Sequence, residues 1–282
     1  TGNATVVNDA GLQFAGSTVG GNLHATATTG NITKTSEALT ITGTTTLITA
    51  ASDASITLGT TSNVFTGALI ITTNDNDSGG TDGDVTIHGG TTALILGDST
   101  IDGDLALTST ATNTVGITDS GTLDIRGITT ISASGVDVTL DSAANNFQAA
   151  VKIQGVNVTI VDAGVIDLGA STVTGTYAVT ATAGGDITDS GVLAITGTSA
   201  FTVAGGRNIT LDQSSTFSST VTFASSGTIA SVTINDSNAF DLKTLTTTGN
   251  LTVTAGGNIT DSGTVTVGGN LAVTTNANSS TI

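Results

Sequence analysis

Apolar and polar residues alternate in short runs along the whole chain, and the runs recur. The stretch Gly184 to Gly197, GGDITDSGVLAITG, returns at Gly256 to Gly269 as GGNITDSGTVTVGG. A third copy, ITDSGTLDIRG, runs from Ile117 to Gly127, and a more diverged one, ITKTSEALTITG, from Ile32 to Gly43. The copies start at Ile32, Ile117, Ile187 and Ile259, so the spacings are 85, 70 and 72 residues. A pattern that returns with drifting residues is a structural repeat. Inside each copy the apolar residues alternate: Leu39/Ile41, Leu123/Ile125, Leu193/Ile195 and Val265/Val267. Period two predicts a strand with one buried face, and Thr40, Asp124, Ala194 and Thr266 face the other way.

A smaller unit lies inside the large one. A marker phrase, apolar–Thr–apolar preceded by Asn, Asp, Ser or Gly, centres on Thr5, Thr33, Thr57, Thr86, Thr118, Thr139, Thr159, Thr188, Thr210, Thr233 and Thr260. The steps between markers range from 20 to 32 residues, and three of them make one large repeat. A unit of that size with two or three short strands is one coil of a β-solenoid. The spacing therefore predicts an all-β parallel β-helix of about ten to eleven coils, three per large repeat, stacked at roughly 4.8 Å. Phe65, Phe147 and Phe217 recur at one phase, each followed by an alternating pair (Leu69/Ile71, Val151/Ile153, Val221/Phe223), and these are expected in the interior. The units read as a partial repeat at 1–31, repeats at 32–116, 117–186 and 187–258, and a partial repeat at 259–282, all in one solenoid segment. The longest repeat carries NDNDSGGTDGDVTIHGG, Asn74 to Gly90, which reads as a loop inserted between coils. Because the pattern is cut mid-unit at both ends, the chain is expected to be a piece of a longer protein.

Composition agrees with strands and turns. Among 282 residues there are 37 Gly, no Met, no Pro and no Cys, and 37% of the chain is apolar, too much for a disordered linker. Net charge is −17, with Lys34, Arg126, Lys152, Arg207 and Lys243 the only Lys or Arg. No basic patch can neutralise phosphates, so nucleic acid is not an expected partner. No apolar stretch reaches the 18 residues of a membrane helix. Without Cys there is no disulfide and no thiolate metal site.

Candidate chemistry is acidic. Asp75, Asp77, Asp82 and Asp84 crowd into one Gly-rich loop, where oxygen ligands would suit calcium, the one cofactor to consider. GGTDGDVTI at Gly79 is a near miss to a tandem calcium-binding nonapeptide, with Asp82 and Thr86 in place of the required Gly and apolar residue. A solvated acidic loop is the plainer reading. A second row, Asp119, Asp141, Asp162, Asp189, Asp212, Asp236 and Asp261, follows the markers. Its plain reading is turn-capping of backbone N–H groups; the sharper one is a cation ladder, or carboxyls raised by like charge. His24 falls on an outward position and His88 in the inserted loop. The Asn-x-Thr/Ser sites follow from the marker itself, and the Thr-x-Thr pairs wander in phase. Dispersed cations leave no Arg or Lys beside a carboxylate cluster, which argues against an enzyme.

The stretch GNLTVTAGGNITDSGTVTVGGNLAVTT, Gly249 to Thr275, resembles the β-strand repeats of filamentous-haemagglutinin-like exoproteins of Gram-negative bacteria, and the likeness covers essentially the whole chain. The resemblance implies a right-handed parallel β-helix on the bacterial cell surface. It implies adhesion, biofilm or cell contact, and export unfolded through an outer-membrane pore. The expected function is a structural shaft segment of a secreted adhesin or fibre that presents a distal region to a host or neighbouring-cell surface or glycan. A self-assembling filament or sheath subunit, associating end to end or laterally, is the alternative; a carbohydrate-active β-helix enzyme is the third.

Overall fold

The computed structural model describes residues 2–59, 63–74, 82–277 and 279–282. The chain is an all-β parallel β-solenoid of about 12 turns, with 36 short strands and no helix among the described residues. Two compact units, Thr1–Ala149 and Ala150–Ile282, divide it.

In the first unit, the strands Ala4–Asn8, Leu23–Ala27, Thr45–Thr49 and Leu69–Thr72 stack in register, so that Ala4, Leu23, Thr45 and Leu69 lie above one another. A second ladder runs through Leu12–Phe14, Ile32–Lys34, Ile56–Leu58, Val85–His88, Leu105–Thr108 and Thr129–Ser132. A third begins with Ser17–Val19, Leu39–Ile41 and Val64–Phe65. Three strands thus make one turn. The alternation decides which side chains go inside. Leu39, Ile41, Leu123 and Ile125 are fully buried, while Thr40 and Asp124 sit on the outer side. Marker threonines stack on the outer face, Thr33 on Thr57 and Thr57 on Thr86.

The second unit repeats the scheme. Val158–Asp162, Tyr177–Ala181, Ser199–Val203 and Val221–Ser225 form one ladder. Ile166–Leu168, Ile187–Asp189, Ile209–Phe217, Val232–Asp236, Leu251–Ala255 and Leu271–Thr275 form another. Thr188, Thr210, Thr233 and Thr252 make the outward row. The backbone of successive turns comes very close at the corners. A Cβ on Gly185 would lie 1.6 Å from the Gly164 carbonyl oxygen, and one on Gly197 2.3 Å from that of Gly175, so only glycine fits there.

Counting strands explains the uneven marker steps. From Thr33 to Thr57 and from Thr118 to Thr139 the chain passes three strands, one turn. From Thr5 to Thr33, Thr86 to Thr118, Thr159 to Thr188 and Thr233 to Thr260 it passes four, a turn and one strand more. Each large repeat therefore contains a strand position beyond its three coils, ten strands in the first two and nine in the third, where Ile209–Phe217 fills two positions. Within the first unit, the Ile32 copy lies in the ladder of Ile56–Leu58 while the Ile117 copy pairs with Leu94–Leu96 in a different sheet. The extra strands also account for about 12 turns where ten marker steps suggested ten to eleven coils.

The inserted loop is shorter than the sequence suggests. Val85–His88 is a regular strand paired with both Ile56–Leu58 and Leu105–Thr108, because Val85 and Ile87 supply an inward-facing pair. His88 thus belongs to the ladder and not to a loop.

The phenylalanines are interior, as their phase predicts. Phe65 stacks on Ile41, Phe147 on Ile125 and Phe217 on Ile195, all three buried. In the second unit Phe201 lies at the centre of a cluster, edge-on to Tyr177 and Phe217 at 6.0 and 6.1 Å and stacked on Phe223 at 6.1 Å. Truncating one of these side chains opens a cavity that costs about 3–5 kcal/mol. In a solenoid each coil rests only on its neighbours, so the damage stays local. Phe147→Ala is expected to speed hydrogen exchange in Leu123–Ile125, Thr129–Ser132 and Asp137–Leu140 and to leave Ala4–Asn8 to Ile32–Lys34 unchanged; uniform loss of protection would contradict the stacking.

Candidate functional site

The recurring polar arrangement in this fold is at the corners. A strand ladder satisfies backbone groups only along its length, and where the chain turns the N–H groups need other acceptors. Asn and Asp side chains supply them, each accepting from the backbone N–H of the next coil. Asn3 Oδ1 accepts from Asn22 N–H at 2.9 Å, Asn22 from Thr44 at 3.0 Å and Asn31 from Ser55 at 2.9 Å. Asp84 accepts from Asp104 at 2.8 Å and Asp104 from Ile128 at 2.7 Å. The second unit continues with Asn157 to Thr176 at 3.0 Å, Asp186 to Asn208 at 2.9 Å and Asn250 to Asn270 at 2.9 Å. Several of the Asn-x-Thr asparagines are therefore rungs of this ladder.

The calcium candidates divide. Asp75 and Asp77 lie outside the described residues. Asp82 and Asp84 are both exposed, two residues apart across Gly83, whose φ of +78° turns the chain. Asp84 already holds the Asp104 N–H. Among the described residues no group of three or more His, Cys, Asp or Glu is placed to hold a metal ion.

The aspartate row breaks up. Asp119 accepts from Asp141 N–H at 3.0 Å and Asp189 from Asp212 N–H at 2.8 Å, so these pairs occupy neighbouring coils. Asp162 is buried, accepts from Gly164 N–H at 2.5 Å and lies over Ala181; Asp236 lies over Ala255. Asp119, Asp162, Asp189 and Asp236 cap backbone N–H groups. Where a carboxyl is raised, burial is the first cause. Burial raises Asp236, opposed by the N–H groups of Asn238 and Phe217. Burial takes Asp189 to about 6 against the N–H groups of Asp212 and Gln213, with the like charges of Asp212 and Asp167 adding least.

Inner corners carry a second polar set that the sequence did not single out. Leu39 N–H donates to Asn63 Oδ1 at 3.1 Å, Leu123 N–H to Asn145 Oδ1 at 2.9 Å and Leu193 N–H to Ser215 Oγ at 2.9 Å. Each acceptor stands two residues before a stacked phenylalanine, and that spacing is the signal that could have found it. Asn63 is fully buried and uses both ends of its amide: Oδ1 also accepts from Lys34 Nζ at 2.7 Å, and Nδ2 donates to the Leu58 and His88 carbonyls at 2.9 and 3.0 Å. Burial lowers the Lys34 amine, and the Glu37 charge works against that. The other cations are spread out: Arg126 binds Asp102, and Lys243 reaches Asp241 at 2.5 Å and holds its carboxyl below the ordinary value.

A profile of a family described as repeats of unknown function (DUF5649) matches residues 1–72, 82–154, 155–224 and 230–282. The matches share the period of the ITDSG copies and skip 73–81, the core of the insertion in the longest repeat. No curated protein and no solved structure matches.

Since an Asn accepts the same bond as an Asp, Asp84→Asn should leave stability unchanged, whereas Asp84→Ala should lose about 0.5–1.5 kcal/mol, read by denaturant unfolding. Calorimetric calcium titrations of the wild type and of Asp82→Asn/Asp84→Asn should give equal heats; a heat lost in the double variant would restore the calcium site.

Proposed function

We propose that this chain, which belongs to the family of repeats of unknown function (DUF5649), is a structural shaft segment of a large secreted bacterial surface adhesin or fibre. The segment holds a distal binding region away from the cell, and attachment, biofilm or cell contact is the outcome. On this reading the chain has no catalytic role. Its partners, a host or neighbouring-cell surface or glycan, are met by regions outside it.

One observation supports the reading most. The polar side chains are spent on holding one coil to the next, rung after rung, from Asn3 on Asn22 to Asn250 on Asn270. A module organised so can be lengthened coil by coil at constant chemistry, which is what a spacer requires. Three of the five cations are likewise absorbed separately, Lys34 on Asn63, Arg126 on Asp102 and Lys243 on Asp241. The likeness to filamentous-haemagglutinin-like repeats supplies the cell-surface setting.

Antibodies raised against the folded segment should label intact cells of the source organism. In-frame removal of residues 155–224, one whole matched stretch, should leave a folded, displayed protein of shorter reach that attaches less well. Labelling only after lysis would overturn the surface assignment. Release of reducing or unsaturated sugars from a polysaccharide panel would favour an enzyme instead.

A further inference from the structure

The same inner corner is built three times, and its third version differs at one atom. In the first two, the residue after Ile-Thr hydrogen-bonds the polar side chain that stands two before the stacked phenylalanine. Lys34 Nζ donates to Asn63 Oδ1 at 2.7 Å. Asp119 Oδ2 accepts from Asn145 Nδ2 at 2.7 Å. In the third corner Ser215 stands at the asparagine's place; it is shorter and has no amide N–H to give. Its Oγ accepts from Leu193 N–H. Asp189 Oδ1 accepts from Asp212 N–H at 2.8 Å and, more loosely, from Gln213 N–H at 3.4 Å. Asp189 Oδ2 is buried and finds no hydrogen-bond partner, in a residue only 8% exposed.

A buried carboxylate oxygen without a donor is costly, and a proton removes that cost. A metal ion is the other remedy, and the geometry does not offer one. The second carboxyl with an unpartnered buried oxygen, Asp167, stands between the inward-facing Ile166 and Leu168, on the outer face of its strand. Asp189 pairs with Leu168 and so takes the inward phase. The two carboxyls point to opposite faces.

We propose that the Asp189–Ser215 corner is a proton-operated clasp, which tightens the coils of the second unit around residues 187–217 when the surroundings become mildly acidic. The titratable groups near Asp189 are Asp212 on Ile209–Phe217, the Tyr177 phenol on Tyr177–Ala181 and, across the strand on the outer face, Asp167 on Ile166–Leu168. The negative charges of Asp212 and Asp167 favour proton uptake, while the Tyr177 phenol, raised by burial, stays neutral. The direction follows from linkage. The native carboxyl holds its proton up to about pH 6, against an ordinary value of 3.8. A group raised in the native state binds protons more tightly there than in the opened chain. Stability is therefore lowest above pH 6, rises as pH falls through 6, and is fully gained near 4. That window corresponds to roughly a hundredfold change in the local opening equilibrium.

Native-state hydrogen exchange at pH 7.5 and pH 5, corrected for intrinsic exchange rates, tests the proposal on wild type, Asp189→Asn and Ser215→Asn. Wild-type amides of Ile187–Asp189, Leu193–Ile195 and Ile209–Phe217 should gain tenfold or more in protection at pH 5. Asp189→Asn, which keeps the acceptor and carries no charge, should be protected at pH 7.5 as strongly as wild type is at pH 5 in Ile187–Asp189 and Leu193–Ile195, with no dependence on pH in those strands. Ser215→Asn, which restores the amide donor of the other two corners, should raise protection at pH 7.5 and flatten the response. Asp236, also buried and raised, remains in all three proteins. Asp236 accepts from Phe217 N–H, so the reading is taken from Ile187–Asp189 and Leu193–Ile195. A response that persists in those strands in Asp189→Asn would move the switch elsewhere and overturn the proposal, as would a wild type whose protection is flat or falls on acidification.

Discussion

Every coil in this protein depends on backbone hydrogen bonds that only the next coil can complete. A parallel ladder leaves no strand able to satisfy its own N–H and C=O groups, and burial makes an unmet group expensive. Along the strands the ladder closes by itself. At the corners the geometry fails, and side chains take over. That is why the position before such a strand tolerates Asn, Asp or Ser. Asn22 on Thr44, Asp104 on Ile128 and Ser231 on Asn250 make the same bond with three different groups. Charge is incidental to the task, and an acidic excess accumulates wherever Asp is the oxygen chosen.

The core follows from the same stacking. Like must sit over like at a fixed spacing, so an apolar pair in one coil is met by an apolar pair in the next. Where a large side chain enters, a branched one lies against it, as Phe65 over Ile41, Phe147 over Ile125 and Phe217 over Ile195. Not all of the interior is apolar. Thr45, Thr129 and Ser199 each begin a strand at the same place in three repeats, are buried, and have hydroxyls without a hydrogen-bond partner. These side chains are small enough for the slot. The desolvated hydroxyl is tolerated at the same place in all three.

Alternation and the phenylalanine phase were legible because each depends on spacing within one short run. Leu123/Ile125 is an inward pair whatever lies above it. The tenth strand position of each large repeat was not legible, because a step of one turn and a step of one turn plus a strand differ only by a few residues of loop or strand. The difference shows only when partners are known, as when the Ile117 copy pairs with Leu94 and not with Ile56–Leu58. The reach of the insertion was overestimated for a similar reason: Gly and Asp crowd around Val85–His88, and composition hid its alternation. The inner corners escaped because Asn63, Asn145 and Ser215 read singly as turn residues. Only their shared place two residues before each stacked phenylalanine separates them from surface turns in the sequence; their depth shows only in the fold.

Those corners also bear on what the repeat preserves. At one position stand a lysine, an aspartate and a second aspartate, opposed by Asn63, Asn145 and Ser215. The backbone bond beneath them, from Leu39, Leu123 or Leu193, is the same in all three. Asparagine can face either sign, since its amide offers Oδ1 to Lys34 and Nδ2 to Asp119. Serine offers one hydroxyl, and the Asp189 carboxylate is then left one donor short. The fold survives this because a solenoid confines a local cost to adjacent coils. The same confinement allows one corner to acquire a response to acidity while the corners built on Asn63 and Asn145 keep their bonds.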